Sequence, residues 1–259
     1  MNANEVIANR ALELVGKQKG AYQIIHPNDH VNMSQSTNDT FPTAMSIAVL
    51  IVWPTLKDCL ELLRDAFWNK GKEFADVMKS GRTHLQDAVP TTLGFELHAY
   101  GTSIQQALYD IGEALETLRV VPIGGTAVGT GMNTSSSYVK DFLGFALEEG
   151  YQLRSFSDLP YIQHSRENFG KFSGSIRGLA LELIRIANDL RLLYSGPTGG
   201  IAEINLPAVQ PGSSIMPGKV NPVIPESIDM LAFRIIGNDM TVALAVQAGQ
   251  LELNVMMPV

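Results

Sequence analysis

The sequence predicts an all-α protein, because two long stripes of apolar residues recur at steps of three and four and no convincing alternating strand pattern interrupts them. The first stripe, in residues 91–119, consists of Leu93, Leu97, Tyr100, Ile104, Leu108, Ile111, Leu115 and Leu118. The second, in residues 169–193, consists of Phe169, Phe172, Ile176, Leu179, Leu183, Ile186, Leu190 and Leu193. Its seven-residue repeat is typical of helices that pack nearly in line. We therefore expect a long up-and-down helical bundle.

Further helices are expected around these stripes. Residues 5–15 have a helical pattern that Gly16 ends, and residues 135–149 have another. Residues 42–78 also have a helical pattern, with a kink predicted at Pro54 because proline lacks the amide proton of a helix interior. The apolar run within residues 41–54 is too short to span a bilayer.

The helical pattern at residues 226–255 is apolar on nearly every side. Its charged residues are Glu226, Asp229, Arg234, Asp239 and Glu252. A helix of this kind is normally buried all round, which a chain of 259 residues can hardly provide by itself. We therefore expect a homo-oligomeric helical core to which each subunit contributes this helix.

The composition favours a globular protein whose partner is a small molecule. With 45% hydrophobic residues, the chain can bury a sizeable core. Its 26 acidic residues outnumber its 19 basic ones, which argues against nucleic acid or an anionic membrane as the main partner. Cys59 has no cysteine to pair with, and no basic leader with an apolar core begins the chain, so we expect a reducing cytoplasm.

Loops dense in small and polar residues are the candidate sites, and they lie at residues 26–39, 80–90, 124–131 and 195–222. GGTAVGTG, at residues 124–131, has neither a preceding strand nor the following Lys-Ser or Lys-Thr pair of a phosphate loop, so we expect a tight turn between helices. GSSIMPGKVNP, at residues 212–222, fits either a lid that closes over an anion or a solvated connection.

The first of these loops contains a spacing that metal ligands can use. His26, Asp29 and His30 would lie on one helical turn. Pro27 and Asn28 favour a turn instead, however, and no further cluster of strong ligands follows. We therefore expect no metal site.

Two features of the first and second loops leave alternatives open. Ser36, Thr37 and Asn38 precede a helical pattern, so they either cap that helix or bind a carboxylate at its free amides. His84 stands in a loop and is expected to be exposed, where it is either incidental or catalytic.

Three segments together resemble the aspartase/fumarase superfamily. They are GSSIMPGKVNP at residues 212–222, NDHVNMSQSTNDTFPTA at residues 28–44 and GRTHLQDAVPTTLG at residues 81–94. Similarity also runs through GGTAVGTGMN, IANDLRLLYSGP and GNDMTVALAVQAGQLELNVMMPV, so the resemblance covers nearly the whole chain. The stretches VNPVIPES and LQDAVP are more similar to aspartate ammonia-lyases than to class II fumarases.

The resemblance implies the reversible elimination of ammonia from L-aspartate to give fumarate, which requires no cofactor. The family's catalytic residues match Ser213 as the general base, His84, and Glu226 as the acidic partner of that histidine. The family's substrate-binding residues match Ser36, Thr37, Asn38, Thr83, Lys219 and Asn221. Gly212 and Gly218 would then be the hinges of a lid.

The resemblance also implies an assembly. In the family the three segments meet only when different subunits bring them together, so we expect a homotetramer with shared active sites and a small dicarboxylate substrate. Residues 1–259 match the family's central helical domain, and we expect its N-terminal and C-terminal domains to be absent and the truncated chain to have very low activity. Thr198 occupies a position where arginine is common in this family. The alternatives are a class II fumarase that acts on malate and a helical assembly core without catalysis.

Overall fold

Helices dominate the computed structural model, which describes residues 2–259. The helices are α1 (Asn2–Leu14), α2 (Thr37–Glu73), α3 (Leu93–Leu118), α4 (Tyr138–Glu148), α5 (Leu159–His164), α6 (Glu167–Tyr194) and α7 (Val223–Gln247). The predicted all-α class is confirmed, and α2, α3, α6 and α7 have 37, 26, 28 and 25 residues. Among the described residues, none of the helices is long and apolar enough to cross a membrane.

Both apolar stripes lie on helix faces that are shielded from solvent. Every member of the first stripe, from Leu93 to Leu118 in α3, is at most 8% exposed. In α6, Leu179, Ile186 and Leu193 are buried, and the other members of the second stripe are partly buried. The periodicity therefore predicted both these helices and the faces that they bury.

Helix α2 begins and ends earlier than predicted. It starts at Thr37 rather than at residue 42, because a polar cap just before it satisfies the first free amides, and it ends at Glu73. The helix is continuous through Pro54, so the predicted kink does not interrupt it. One missing backbone hydrogen bond is a small fraction of those that a helix of 37 residues forms.

The end of α7 was predicted wrongly. The apolar pattern continues to residue 255, but the helix ends at Gln247. The side-chain amide of Asn254 donates to the backbone oxygens of Ala245 at 2.9 Å and Val246 at 3.1 Å. Asn254 is 1% exposed, so the chain turns back and satisfies carbonyl groups that the last helical turn leaves free.

The sequence did not predict the short strands. They are β1 (Met78–Thr83) and β2 (Gln86–Thr92), which pair as an antiparallel hairpin, and β3 (Val120–Val121) and β4 (Arg154–Ser155), which pair in parallel. The hairpin turn consists of His84 and Leu85 and lacks the Asn-Gly or Asp-Gly signal that such turns usually carry. Pro90 within β2 further weakens the strand pattern.

The chain folds as two compact units, of which the first comprises residues 2–51, 116–167 and 245–259. Its core contains the buried residues Val121, Ile123, Ala146 and Leu153. Partly buried side chains pack against them: Ile47, Leu50, Tyr138, Val139, Phe142, Leu143 and Tyr151. This unit also contains the start of α2, where one set of predicted substrate contacts lies.

The second unit comprises residues 52–115 and 168–244 and is a bundle built from parts of α2, α3, α6 and α7. Polar contacts join successive helices: Arg64 to Gln105 at 2.7 Å, Tyr100 to Asp189 at 3.0 Å, and Arg191 to Asp229 at 2.8 Å. The β1–β2 hairpin and the loop at residues 212–222 belong to the same unit. The predicted bundle is therefore present.

Helix α7 buries two of its carboxylates and exposes many of its apolar side chains. Asp229 and Asp239 are 4% and 7% exposed, and they pair with Arg191 and Ser173 of α6 at 2.8 and 2.7 Å. The exposed apolar side chains of α7 are each 57–64% exposed, and they are Ile224, Met230, Leu231, Phe233, Met240 and Leu244. The chain by itself therefore does not provide the burial on every side that the sequence predicts.

Candidate active site

The start of α2 is fixed by a reciprocal cap. Ser36 precedes the helix, and its Oγ accepts a hydrogen bond from the backbone amide of Asn38 at 3.1 Å. In return, Oδ1 of Asp39 accepts one from the amide of Ser36 at 3.0 Å. These bonds satisfy amides that a first helical turn leaves free. The capping role that the sequence left open for Ser36 is confirmed, while Thr37 remains exposed.

The glycine loop at residues 124–131 holds the same helix start. The backbone amide of Thr126 donates to Oδ2 of Asp39 at 2.9 Å, and Nδ2 of Asn38 donates to the carbonyl of Ala127 at 2.9 Å. Asp39 has no exposed surface, and its burial raises the pKa of its carboxyl although backbone hydrogen bonds oppose the rise. The side chains of Asn38 and Asp39 therefore bind the N-terminus of α2 to this loop.

The loop turns as predicted, and two of its glycines allow it. Gly124 and Gly129 both have φ of 86°, a conformation that L side chains rarely adopt. A Cβ on Gly129 would lie 2.4 Å from the nitrogen of Pro160, so that position also needs glycine for a close backbone approach. Nε2 of Gln163 donates to the carbonyl of Thr126 and fixes the loop from α5.

A buried guanidinium lies behind the helix start. Arg166 is 5% exposed, and its Nη2 and Nη1 donate to the carbonyls of Asn38 at 3.1 Å and Ile162 at 2.8 Å. Burial lowers the pKa of Arg166 to about 10, so the group is still a cation near neutral pH. In residues 2–259 it forms no ion pair, and its Nε has no hydrogen-bond partner. Nη2 also contacts the sulfur of Met257 at 3.7 Å. A cation buried without a carboxylate partner is costly, which indicates a specific role.

Of the residues with metal-ligand spacing, Asp29 and His30 lie in a single π-helical turn, Pro27–Val31, and His26 immediately precedes it. Nδ1 of His26 caps it by accepting from the amides of Asn28 and Asp29, both at 3.2 Å. Nδ1 of His30 accepts from the amide of His26 at 2.8 Å. Backbone amides thus occupy these ring nitrogens. Across residues 2–259, the structure holds no group of three or more His, Cys, Asp or Glu side chains arranged to bind a metal ion.

Thr83 and His84 lie at the exposed tip of the β1–β2 hairpin. Thr83 pairs with Gln86, so His84 and Leu85 form a turn of two residues. Both turn residues have positive φ, 54° and 58°, which is the sign pattern of a type I′ turn. Glycine and asparagine usually occupy such positions, so this backbone is strained.

The loop at residues 212–222 is closed on itself. Nδ2 of Asn221 donates to the carbonyl of Gly212 at 2.8 Å. A Cβ on Gly212 would lie 2.0 Å from the carbonyl oxygen of Lys219, so this close approach requires glycine. Gly218 has φ of 81° and supplies the turn between them. The two glycines therefore have defined conformational roles in the closed loop.

Ser213 occupies a partly buried position at the start of this loop. Its Oγ accepts hydrogen bonds from the backbone amides of Ile215 at 3.3 Å and Met216 at 3.1 Å. Two donors directed at one hydroxyl oxygen favour the alkoxide over the neutral hydroxyl. A serine that acts as a base needs an environment of this kind.

An open cavity of about 1090 Å³ in the second unit adjoins the loop. Lys219, Asn221 and Glu226 line it, together with Arg191 and Tyr194 from α6. Arg191 is already paired with Asp229, so Lys219 is the cation that remains available to a ligand. The volume exceeds the roughly 300–1,000 Å³ of typical small-molecule pockets. In the single chain the cavity is therefore wider than a typical small-molecule pocket.

The chain gathers only part of the predicted set. Lys219, Asn221 and Glu226 share the cavity, whereas Ser213, Thr83 and His84 belong to the same unit but not to its lining. The remaining predicted contacts, Ser36, Thr37 and Asn38, belong to the first unit.

Comparison with known proteins identifies the family. A family model described as "Lyase" matches residues 1–237. The chain belongs to this lyase family. The aspartate ammonia-lyase of Pseudomonas aeruginosa is 52% identical over 260 residues, and that of Escherichia coli is 47% identical over 264 residues. These alignments include all of this lyase chain but 55% and 54% of the relatives, so the chain spans about half the length of the curated relatives it matches.

Solved structures share the fold of this lyase chain. It matches a fumarate lyase:delta crystallin from Brucella melitensis bound to cobalt with a TM-score of 0.95 and 50% identity, over 99% of this chain and 56% of that one. It matches the class II fumarase of Schistosoma mansoni with a TM-score of 0.93 and 39% identity, over 99% of this chain and 57% of that one. The predicted resemblance to the aspartase/fumarase superfamily is confirmed.

Several residues that hold the predicted substrate contacts at the start of α2 were not predicted: Asp39, Thr126, Ala127, Gln163 and Arg166. The pattern Ser-x-x-Asp at residues 36–39 could have indicated the first of them, because it is a capping box with aspartate in the last position. No local pattern indicates Arg166, because its role depends on burial among segments that are far apart in sequence.

Proposed function

We propose that this lyase chain is the central helical domain of an aspartate ammonia-lyase, which eliminates ammonia from L-aspartate to give fumarate. The observation that carries the proposal is the closed loop at residues 212–222. Its Ser213 Oγ accepts two backbone amide bonds, and its Lys219 and Asn221 line the adjoining cavity. Identities of 47–52% to aspartate ammonia-lyases, against 39% to a class II fumarase, support the choice of substrate.

The chemistry assigns a distinct part to each residue of the loop. Ser213, as an alkoxide, takes the proton from the carbon beside one substrate carboxylate. The electron pair that is released passes into that carboxylate as an enediolate, so stabilising this dianion dominates the barrier. Lys219 and Asn221 bind that carboxylate. The electron pair then returns from the enediolate to form the carbon–carbon double bond, and ammonia leaves. No cofactor takes part in these steps.

The remaining residues bind the rest of the substrate. Ser36, Thr37 and Asn38 offer hydroxyls, an amide and the positive end of α2 to a carboxylate, and Thr83 adds a hydroxyl from the hairpin tip. Glu226 is assigned to orient the imidazole of His84. Because aspartate and malate differ only in the leaving group, the surroundings of Asn38 and His84 select between them.

The site is proposed to be complete only in a homotetramer, in which different subunits supply the three segments. The outward apolar side chains of α7 support this assembly, because they would face water in a single chain. The distribution of the predicted residues over both units and outside one cavity lining also supports it. We place the enzyme in the cytoplasm, and we expect the 259-residue chain alone to have very low activity.

The function is tested by following fumarate absorbance with L-aspartate and with L-malate in parallel. The assay uses the 259-residue chain and, where its reading frame continues, the longer product. We expect the kcat/KM of the longer product to be larger for aspartate than for malate. A larger value for malate would identify a class II fumarase and leave the serine mechanism in place. No turnover of either substrate by any product would identify a helical core without catalysis.

A further inference from the structure

A cluster of charged side chains lies beneath the hairpin that carries Thr83 and His84. Nη2 of Arg82 lies 2.5 Å from Oε1 of Glu203, and Nζ of Lys79 lies 3.0 Å from Oε2 of the same carboxylate. The side chains of Lys79, Arg82 and Glu203 are 10%, 24% and 22% exposed. Glu203 thus bridges two cations of strand β1 at a partly buried position, where solvent screens the attraction less than it does on an open surface.

The backbone of Glu203 is fixed independently of its carboxylate. Its amide donates to the carbonyl of Leu193 at 2.9 Å, and the preceding amide of Ala202 donates to the carbonyl of Ser195 at 2.7 Å. Both acceptors belong to the C-terminal end of α6 or to the residue that follows it. The segment that carries the carboxylate is therefore held against the end of α6 by backbone hydrogen bonds. This segment leads directly to the loop at residues 212–222.

The turn that Glu203 supports is not stable by its own sequence. His84 and Leu85 both adopt positive φ without the glycine or asparagine that relieves such a conformation. A register shift between Ser80 and Arg82 also disturbs the pairing just before the turn. Strained backbone persists only where its surroundings hold it in place.

Close packing does not hold this turn. Leu85 is 67% exposed, and His84 is exposed as well. A cavity of about 310 Å³ lies against the hairpin, lined by Lys79, Arg82 and Leu85 together with Ile201. The ion pairs of Glu203 join β1 to the segment that follows α6, and Lys79 also pairs with Glu96 of α3 at 2.6 Å.

We propose that Glu203 is a positioning residue, which holds the strained turn so that Thr83 and His84 stay in the geometry that the reaction requires. This inference rests on the proposed function for its catalytic consequence, but the restraint of the hairpin does not. Glu203 also links two of the predicted segments. Its side chain contacts the hairpin within residues 78–92, and its backbone belongs to the stretch that leads into the loop at residues 212–222 with Ser213.

The test compares Glu203→Gln with Glu203→Asp and with Glu182→Gln. Glutamine keeps the shape but cannot pair with two cations, and aspartate keeps the charge on a shorter side chain. Glu182 pairs with Arg185 on the exposed side of α6 at 2.7 Å, so its glutamine variant is a matched control outside the site. Amide hydrogen exchange in residues 78–92 and elimination kinetics are measured on the same preparations.

We expect Glu203→Gln to raise exchange rates in the hairpin about tenfold and to lower kcat/KM about tenfold to a hundredfold, as misplacing catalytic groups by about 1 Å does. Glu203→Asp should bring the exchange rates and kcat/KM part of the way back to the wild-type values, and Glu182→Gln should change neither quantity. Unchanged exchange in the hairpin would overturn the proposal, as would a uniform rise across the chain. If neither the wild-type 259-residue chain nor its longer product has elimination activity, the proposed function fails, and the exchange measurements still decide the role of Glu203.

Discussion

The carboxylate of Asp39, which has no exposed surface, accepts a hydrogen bond from the backbone amide of Thr126 at 2.9 Å across 87 positions of sequence. Its other oxygen accepts from Ser36 at 3.0 Å. One side chain thus completes the cap of α2 and joins it to the glycine loop. The predicted substrate contacts at the start of α2 depend on this carboxylate for their position.

We predict that Asp39→Ala lowers the free energy of unfolding by about 2–4 kcal/mol, because it removes a cap and leaves two backbone amides without acceptors. Urea unfolding at fixed protein concentration measures the change. Asp58→Ala, at an exposed position of the same helix, should change it by less than about 0.5 kcal/mol. Equal losses in the two variants would contradict the role of Asp39.

A second prediction concerns the cation behind Asn38. Arg166→Met should leave the carbonyls of Asn38 and Ile162 without their donor, so the first turn of α2 should open more often. Amide exchange in residues 36–42 should rise, and the KM for substrate should increase more than kcat falls. Arg177→Met, at an exposed arginine of α6, is the control and should affect neither measurement. Unchanged exchange near Asn38 would show that the guanidinium is dispensable.

A third prediction separates the two serines of the closed loop. Ser213→Ala should abolish elimination while assembly is retained, because it removes the base and little packing. Ser214→Ala, the same change at the exposed neighbouring position, should keep most of the activity. Lys219→Ala should reduce both kcat and apparent affinity, because its charge acts in the ground state and in the transition state. Full turnover by the Ser213 variant would rule out this residue as the base.

A fourth prediction concerns the assembly. Leu231, on α7, is 57% exposed in the single chain, and Leu147, on α4, is 60% exposed. Leu231→Asp should dissociate the proposed homotetramer, because a charge placed in an apolar interface must be desolvated. Leu147→Asp should leave the assembly intact. Sedimentation velocity distinguishes the two, and a wild-type chain that is monomeric at micromolar concentration would exclude the homotetramer.

A fifth prediction follows from the charges around Glu203. The hydrogen bond from Arg82, followed by that from Lys79, lowers the pKa of the Glu203 carboxyl below its ordinary value of 4.5. The unfolded chain therefore binds this proton more readily, so the contribution to stability is present above pH 4.5 and is lost as pH falls through the folded pKa. In urea unfolding at neutral pH, the free energy of unfolding of the wild type should exceed that of Glu203→Gln. This difference between the two proteins should become smaller in acid. A difference independent of pH would mean that charge is not responsible.

The apolar periodicity of the sequence predicted the long helices of this fold. Apolar spacing identified α3 and α6 together with their buried faces, because a helix of that length repeats the same signal many times. Helix ends were less predictable, since they depend on single contacts. The end of α7 is set by Asn254, a residue that lies beyond the helix and within its apolar pattern.

The supporting residues of the site were predictable only in part. Ser213, Lys219 and His84 came from motif resemblance, and their roles remain proposals. The hairpin beneath His84 was not predicted, because its turn lacks a glycine or asparagine and its geometry depends on Arg82 and Glu203, far apart in sequence. Contacts between distant segments leave no periodic signal, which explains why this cluster is visible only in the folded chain.

The apolar face that α7 exposes in the single chain affects how a cell would recognise the folded chain. Chaperones and proteases distinguish unfolded from folded protein largely by exposed apolar side chains, and a correctly folded single chain still displays Met230, Phe233 and Met240. Until that face is covered, folding does not remove the signal that marks a chain for retention or degradation. Survival of newly made chains should therefore depend on how soon they encounter one another, so abundance in the cell should rise more steeply than the rate of synthesis.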